Sequence, residues 1–273
     1  EVFKMKKRSL VLTLVLLLLT TTTAFAITGK KVMDEAEGVL NDGDTMHALM
    51  GMDLIDQDGN VRARTLEVWS RTYDQEQDLS KMVMEFRNPA SIAGTRFLQV
   101  ENEERDDDKW IYLPGLGRVR RISSEQGDSS FVGSDFTYDD LETRDVEEDK
   151  HQLLREEELG EYNCYVVESV PKDKEDAQYA KRISWVTKKH SIPVRIEMYN
   201  KKTNEVEKVL KIKHNIAKIS GYWTVFNARM TDKTTGHSTR LYIKRNQGGQ
   251  PFIEYDKQIS PKRFTQRFLK LGR

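Results

Sequence analysis

The sequence is poor in the residues that disulfide, metal and nucleotide chemistry require. Its 273 residues include one cysteine, Cys164, so no intrachain disulfide can form. Cys164 stands between Asn163 and Tyr165 with no base beside it. It reads as a small buried residue of a strand, not a reactive thiol. The five histidines are His47, His151, His190, His214 and His237, and no two fall at a metal-ligand spacing. No Gly-x-Ser-x-Gly elbow and no glycine-rich phosphate loop occurs. Charge is balanced, 44 Lys and Arg against 44 Asp and Glu, whereas a nucleic-acid binder needs a strong basic footprint. These absences lead us to expect no metal, no cofactor, no nucleic acid and no catalytic residue.

Two weaker patterns have plain structural readings. Gly127-Asp128-Ser129 carries residues of one esterase nucleophile box, but with neither a strand before it nor a helix after it. A surface turn is the reading that fits. Asp56–Asn60 has its glycine at the fourth place instead of the sixth, so it suits a hairpin turn better than a calcium loop. The acidic runs 106–108 and 156–158 read as solvated turns and faces.

Long apolar runs are also scarce. The one present, Leu10–Leu19, is about ten residues long, short of the roughly 20 that a spanning helix needs. Lys6, Lys7 and Arg8 precede it and Ala24-Phe25-Ala26 follows, the order of a signal peptide cleaved after Ala26. An uncleaved anchor is the alternative. No cysteine follows the apolar core to take a lipid, so the expected product is exported and, in a bacterium, periplasmic. From Ile27 onward 40 basic and 43 acidic residues remain, in one expected domain over 27–273.

What the chain has in quantity is alternation. Thr28–Asn41 has apolar residues at helical spacing and stops at Asn41-Asp42-Gly43. The period then falls to two, and strands are expected over 46–54, 61–73, 79–87, 94–101, 110–113 and 118–122. Further strands are expected over 152–157, 162–170, 180–187, 193–199, 205–214, 222–231 and 238–245. Polar turns separate them, as an antiparallel meander with one solvated face requires. Ser260-Pro261 signals the start of a last helix with a Phe264, Phe268 and Leu269 stripe. It suits an element that closes one end of the sheet, or a membrane-surface helix.

The stretch Trp110–Leu141 organises the rest. It reads WIYLPGLGRVRRI, then a polar loop, then SSFVGSDFTYDDL. This pattern resembles the outer membrane lipoprotein-sorting family, the LolA-like periplasmic carriers. In that family a Leu-Pro segment leads to Arg-x-Arg-Arg-Ile and then to Ser-Phe-x-Gly-Ser-Asp-Phe-x-Tyr-x-Asp-Leu.

The resemblance implies a mainly β fold, an incomplete, half-open antiparallel barrel with a helical lid over a hydrophobic cavity. It implies a monomeric, non-enzymatic carrier of lipoprotein acyl chains or other lipids across the periplasm towards the outer membrane. An inner-membrane transporter of the RND or ABC type and an outer-membrane acceptor are the implied partners. The alternative is an accessory binding module of an RND-type exporter or envelope complex without cargo.

On this picture the cavity candidates are Met50, Met52, Trp69, Met82, Met84, Phe86, Trp110, Tyr112, Phe131, Phe136, Tyr138, Trp185, Met198, Phe226 and Met230. Methionine adapts to irregular apolar shapes, although an ordinary packed core would use the same residues. Arg118 and Arg120 share one strand face and Arg121 takes the other. They suit an anionic headgroup or partner, or else pair with Asp135, Asp139 or Asp140 to fasten the loop.

Overall fold

The computed structural model describes residues 27–39, 43–142, 144–175, 177–212 and 216–273. The signal-peptide reading of residues 1–26, and His214, lie outside the described residues.

The chain opens with helix α1 (Gly29–Glu37), capped by the Thr28 hydroxyl, which accepts from Lys31 N at 3.2 Å. Helix α1 is shorter than the expected Thr28–Asn41, and its last buried position is Ala36. Six strands follow: β1 (Thr45–Ile55), β2 (Val61–Asp74), β3 (Leu79–Asn88), β4 (Arg96–Val100), β5 (Asp108–Leu113) and β6 (Arg118–Ile122). After an irregular segment come β7 (Asp149–Leu159), β8 (Tyr162–Pro171), β9 (Lys181–Thr187), β10 (Pro193–Tyr199) and β11 (Val206–Ile212). The chain then runs through β12 (Ile216–Ile219), β13 (Tyr222–Val225), β14 (Asn227–Asp232), β15 (Ser238–Ile243) and β16 (Ile253–Tyr255) to helix α2 (Gln266–Leu271).

All but β12 and β13 join one antiparallel sheet, in the order β6-β5-β4-β3-β2-β1-β15-β14-β11-β10-β9-β8-β7, with β16 added beside β1. Strands β6 and β7 are its two edges and do not pair with each other, so the barrel is incomplete, as the resemblance implied. Curvature follows from reach. Strands β5 and β11 are seven positions apart in the order. In a flat sheet that is roughly 34 Å, at about 4.8 Å per strand. Yet Lys109 of β5 and Lys208 of β11 bond to the adjacent residues Asp139 and Asp140, at 2.9 and 3.2 Å. The sheet must therefore roll around the segment that carries them.

Three expectations are corrected. The run 222–231 is two strands, because a Ser220-Gly221 turn with both residues at positive φ folds β13 back onto β12 alone. The chain rejoins the main sheet only after Phe226. Ser260-Pro261 opens a single 3-10 turn, Pro261–Arg263, and the helix starts at a second cap, Thr265, whose hydroxyl accepts from Phe268 N. Its apolar stripe lies on the convex face of the sheet, against Trp69, Val83 and Leu98, and does not close an end.

Candidate functional site

Because β6 and β7 are opposite edges, the chain between them has to cross the open side of the sheet. Residues 123–142 and 144–148 do so over the concave face, as a series of short 3-10 turns. Cross-strand partners define that face. Met52 stands opposite Leu241, Leu66 opposite Phe86, Met84 opposite Phe97, Phe97 opposite Ile111 and Leu210 opposite Met230.

The crossing segment fills this face with rings. Phe131 is fully buried, 5.2 Å from Phe97 and 5.6 Å from Tyr138 between ring centroids. Phe131 and Tyr138 belong to the cluster of Met52, Leu66, Met84 and Phe86, with Met50 and Met82 at its margin. Phe136 belongs to a second cluster with Tyr179, Met198 and Met230. Leu241 packs against both, so the two clusters are contiguous. Helix α1 covers the far end, where Val32 and Ala36 meet Val167 and Val186. Two surface depressions, of about 570 and 270 Å³, lie elsewhere, beside Ile259 and beside Tyr222.

The turn that aims Phe131 is strained. Val132 has φ of 50° and Gly133 of 74°. A β-branched residue in the left-handed region is an outlier that costs on the order of 1–3 kcal/mol. Arg64 of β2 holds it there, donating to the Val132 carbonyl at 2.6 Å.

The acidic end of the segment is held by buried cations. The Lys109 ammonium bonds to Asp139 at 2.9 Å and also to Glu142, with its side chain 5% exposed. The Lys208 ammonium bonds to Asp140, whose side chain is 4% exposed. Asp140 also accepts from the Tyr179 hydroxyl and from Thr137 N, both at 2.9 Å. Asp135 exchanges two bonds with Thr239 of β15. The segment is thus tied to both halves of the sheet. Burial alone would lower the Lys109 pKa, but its bonds to Glu142 and Asp139 outweigh burial and hold it above the ordinary lysine value. Burial pushes the Glu142 carboxyl up to about 7, against the pull of Lys109. Burial raises Asp135 too, against its bond to Thr239. Lys109 stays charged, while Glu142 takes up a proton as pH falls through about 7.

The structure divides the expected cavity residues. Met50, Met52, Met82, Met84, Phe86, Phe131, Phe136, Tyr138, Met198 and Met230 come together on the concave side. Trp69, Trp110 and Tyr112 do not. They alternate out of register with Val68 and Ile111 and pack in the convex layer with Phe264, Phe268 and Leu269. Trp185 packs with Cys164, Val166 and Val194, again on the convex side. Phe226 is a partly buried joint between β13 and β14. Arg118 and Arg120 are exposed on the concave side of β6, while Arg121 turns away to Asp108 at 2.6 Å. The expected pairing of these arginines with Asp135, Asp139 or Asp140 gives way to Thr239, Lys109 and Lys208. Lys109 and Lys208 escaped the sequence reading. Each does leave a signal, a lysine on the apolar face of its strand, alternating with Ile111 and Leu113 or with Leu210 and Ile212.

Two of the patterns read as structural take ordinary places. Cys164 is buried on β8, and burial pushes its thiol up to about 11. Ser129 is exposed in a turn, its backbone N–H bonded to Gln126.

A family model described as that of an uncharacterized protein matches residues 78–271. A DUF1329 family protein from Desulfovibrio piger is 27% identical, with a TM-score of 0.80 over 88% of this chain and 97% of its own. A Vibrio parahaemolyticus protein domain assigned to outer membrane lipoprotein sorting is 29% identical, with a TM-score of 0.78 over 89% of this chain and 98% of its own. A LolA superfamily protein from Nitrosomonas europaea shares the fold at 19% identity, with a TM-score of 0.65 over 89% of this chain and all of its own. No curated protein matches the chain.

Proposed function

The chain belongs to this LolA-like family, and from that premise we propose that it is a periplasmic, non-enzymatic carrier of lipoprotein acyl chains or other lipids, moving them towards the outer membrane. One observation carries the reading. Apart from the far end under α1, the apolar concave face is covered by an irregular segment held by polar catches, and among the described residues not by a second sheet or a helix layer. Such a cover can leave, and an acyl chain can take its place. The similar Vibrio domain assigned to lipoprotein sorting supports the same reading.

The wall suits the task. Met50, Met52, Met82, Met84, Met198 and Met230 line it, and methionine repacks around chains of differing shape. Burying a lipid tail contributes about 0.8 kcal/mol per methylene, so a chain of about 14 methylenes gains around 11 kcal/mol before the costs of binding. Part of that gain is offset by expelling Phe131, Phe136 and Tyr138, which keeps release possible. Arg118 and Arg120, exposed on the open edge strand, offer guanidinium forks to an acidic headgroup or partner. An inner-membrane transporter of the RND or ABC type would load the carrier, and an outer-membrane acceptor would unload it.

Mass spectrometry of organic extracts from natively purified protein tests this reading. Co-purifying lipid is the expected result. Persistent absence of lipid, together with no uptake of a fluorescent fatty acid, would reject it. The filled concave face favours one alternative, an accessory module of an exporter that carries no cargo, and the same measurement separates the two.

A further inference from the structure

We propose that the crossing segment occupies its cargo's own places: Phe131, Phe136 and Tyr138 stand where acyl chains go, and Asp139 and Asp140 stand where an anionic headgroup goes, to be held by Lys109 and Lys208. The cargo class is therefore an amphiphile with a carboxylate or phosphate head. The inference rests on the carrier reading above and names the chemistry that the same site selects.

The two lysines belong to the sheet, not to the segment. When the segment leaves, Asp139, Asp140 and Glu142 leave with it, and two ammonium groups remain on the sheet without their bonded carboxylates, Lys109 with Asp107 nearby and Lys208 opposite Asp232. Taking one partner from a buried pair strands the other charge, which is strongly unfavourable. A neutral lipid would leave both lysines stranded. An oxyacid headgroup restores their bonds.

Convergence adds to this. Lys109 and Lys208 come from opposite halves of the sheet yet reach carboxylates on adjacent residues, so the two cations converge on one short stretch of the segment. Arg182, 5.2 Å from the centre of the Tyr179 ring, adds a third cation on the Asp140 side. The segment also has the order of an amphiphile. Its aromatic part, ending at Tyr138 in the apolar cluster, passes directly into Asp139-Asp140 at the cations.

The full chain can be tested by displacement of the neutral probe 1-N-phenylnaphthylamine with lipids matched in chain and differing in head. Oleate and dioleoyl phosphatidate should displace it at concentrations at least tenfold below those of oleyl alcohol and dioleoylglycerol. The free-acid and phospholipid arms distinguish the two sources of the anion. In Lys109→Met/Lys208→Met the preference should vanish while displacement by the alcohol persists. If that variant does not fold, hydrogen exchange of the unaltered chain decides. Amides of residues 131–141 should exchange faster with oleate than with oleyl alcohol. Equal displacement by charged and neutral lipids, or bound oleate that leaves those amides protected, would overturn the inference and leave the carrier reading standing. Displacement by none of the four would overturn both.

Discussion

On the convex side of the sheet, Trp69, Val83 and Leu98 are sealed beneath Phe264, Phe268 and Leu269. On the concave side, their strand neighbours Val68, Met84 and Phe97 lie beneath a segment of irregular turns. The convex seal is made mostly of rings and aliphatic chains. Phe268 meets Trp69 edge-on at 6.4 Å, Arg263 stacks over Trp69 at 4.0 Å, and Arg96 donates to the Leu269 carbonyl at 2.9 Å. The convex side has a buried ion pair too, Arg96 with Glu85 at 3.0 Å, but both partners belong to the sheet, whereas the concave cover is itself fastened by buried ion pairs and carries a strained valine. Apolar residues of equal volume would serve stability as well as a buried ion pair or better. Strain at Val132 works directly against it. The two faces thus differ in how they are closed, and on the proposal above the concave closure is the one that a competing anion or chain undoes.

Phe268→Ala tests the permanent side and should have the largest effect. Phe268 is 4% exposed, and truncating such a side chain costs about 3–5 kcal/mol. Chemical denaturation should show that loss as a global shift, with no selective rise in hydrogen exchange at 131–141. A selective rise there would mean that the faces are coupled, and the contrast between them would fail.

Gly127→Ala tests the exchangeable side, with a smaller effect expected. Gly127 has an ordinary helical φ of −59°, so the backbone accepts alanine. A Cβ there would lie 2.0 Å from Asp139 Oδ1, the atom that Lys109 holds. Displacing that carboxylate should cost about 1–2 kcal/mol. The loss should appear as faster exchange across the segment with little change in the global unfolding midpoint. Unchanged exchange would show that Asp139 can step aside freely.

Much of the fold was legible because it follows from period and punctuation. The strand runs of 46–54, 61–73 and 79–87 alternate cleanly, and β1, β2 and β3 match them within a residue or so. Strands β12 and β16 span only four and three residues, too few to establish a period. The site was legible by composition and not by side. Trp69, Trp110 and Tyr112 are as apolar as Met52 and Phe86. Both faces of β2 to β5 are buried, so alternation separates two sets without saying which set faces inward. The lysines were hidden for a different reason. A charge on an apolar face acquires meaning only when its partner is known, and those partners lie 30 and 68 residues away.

The smallest expected effect is the most specific, and it concerns pH. Burial holds the Glu142 carboxyl up at about 7, with Lys109, Asp107 and Asp139 as the charges around it. A carboxyl whose pKa is higher in the docked segment than in the free chain favours docking most when protonated. That contribution is complete below the ordinary carboxylate range and is lost as pH rises through about 7. Asp135, also raised by burial, acts in the same direction. Glu142 keeps part of its surface in water, which discounts the effect to roughly 1 kcal/mol, or about fivefold in opening. Exchange at 131–141, corrected for the intrinsic rate, should therefore be slower at pH 5.5 than at pH 8. Glu142→Gln should remove the part of the profile centred near 7, leaving only the share of Asp135. The convex face gives no reason for a matching change in the amides of α2. If the segment instead loosens as pH falls, the ionised bond between Glu142 and Lys109 outweighs burial, and the clasp is a salt bridge that tightens with ionisation, not a carboxyl kept neutral until something displaces it.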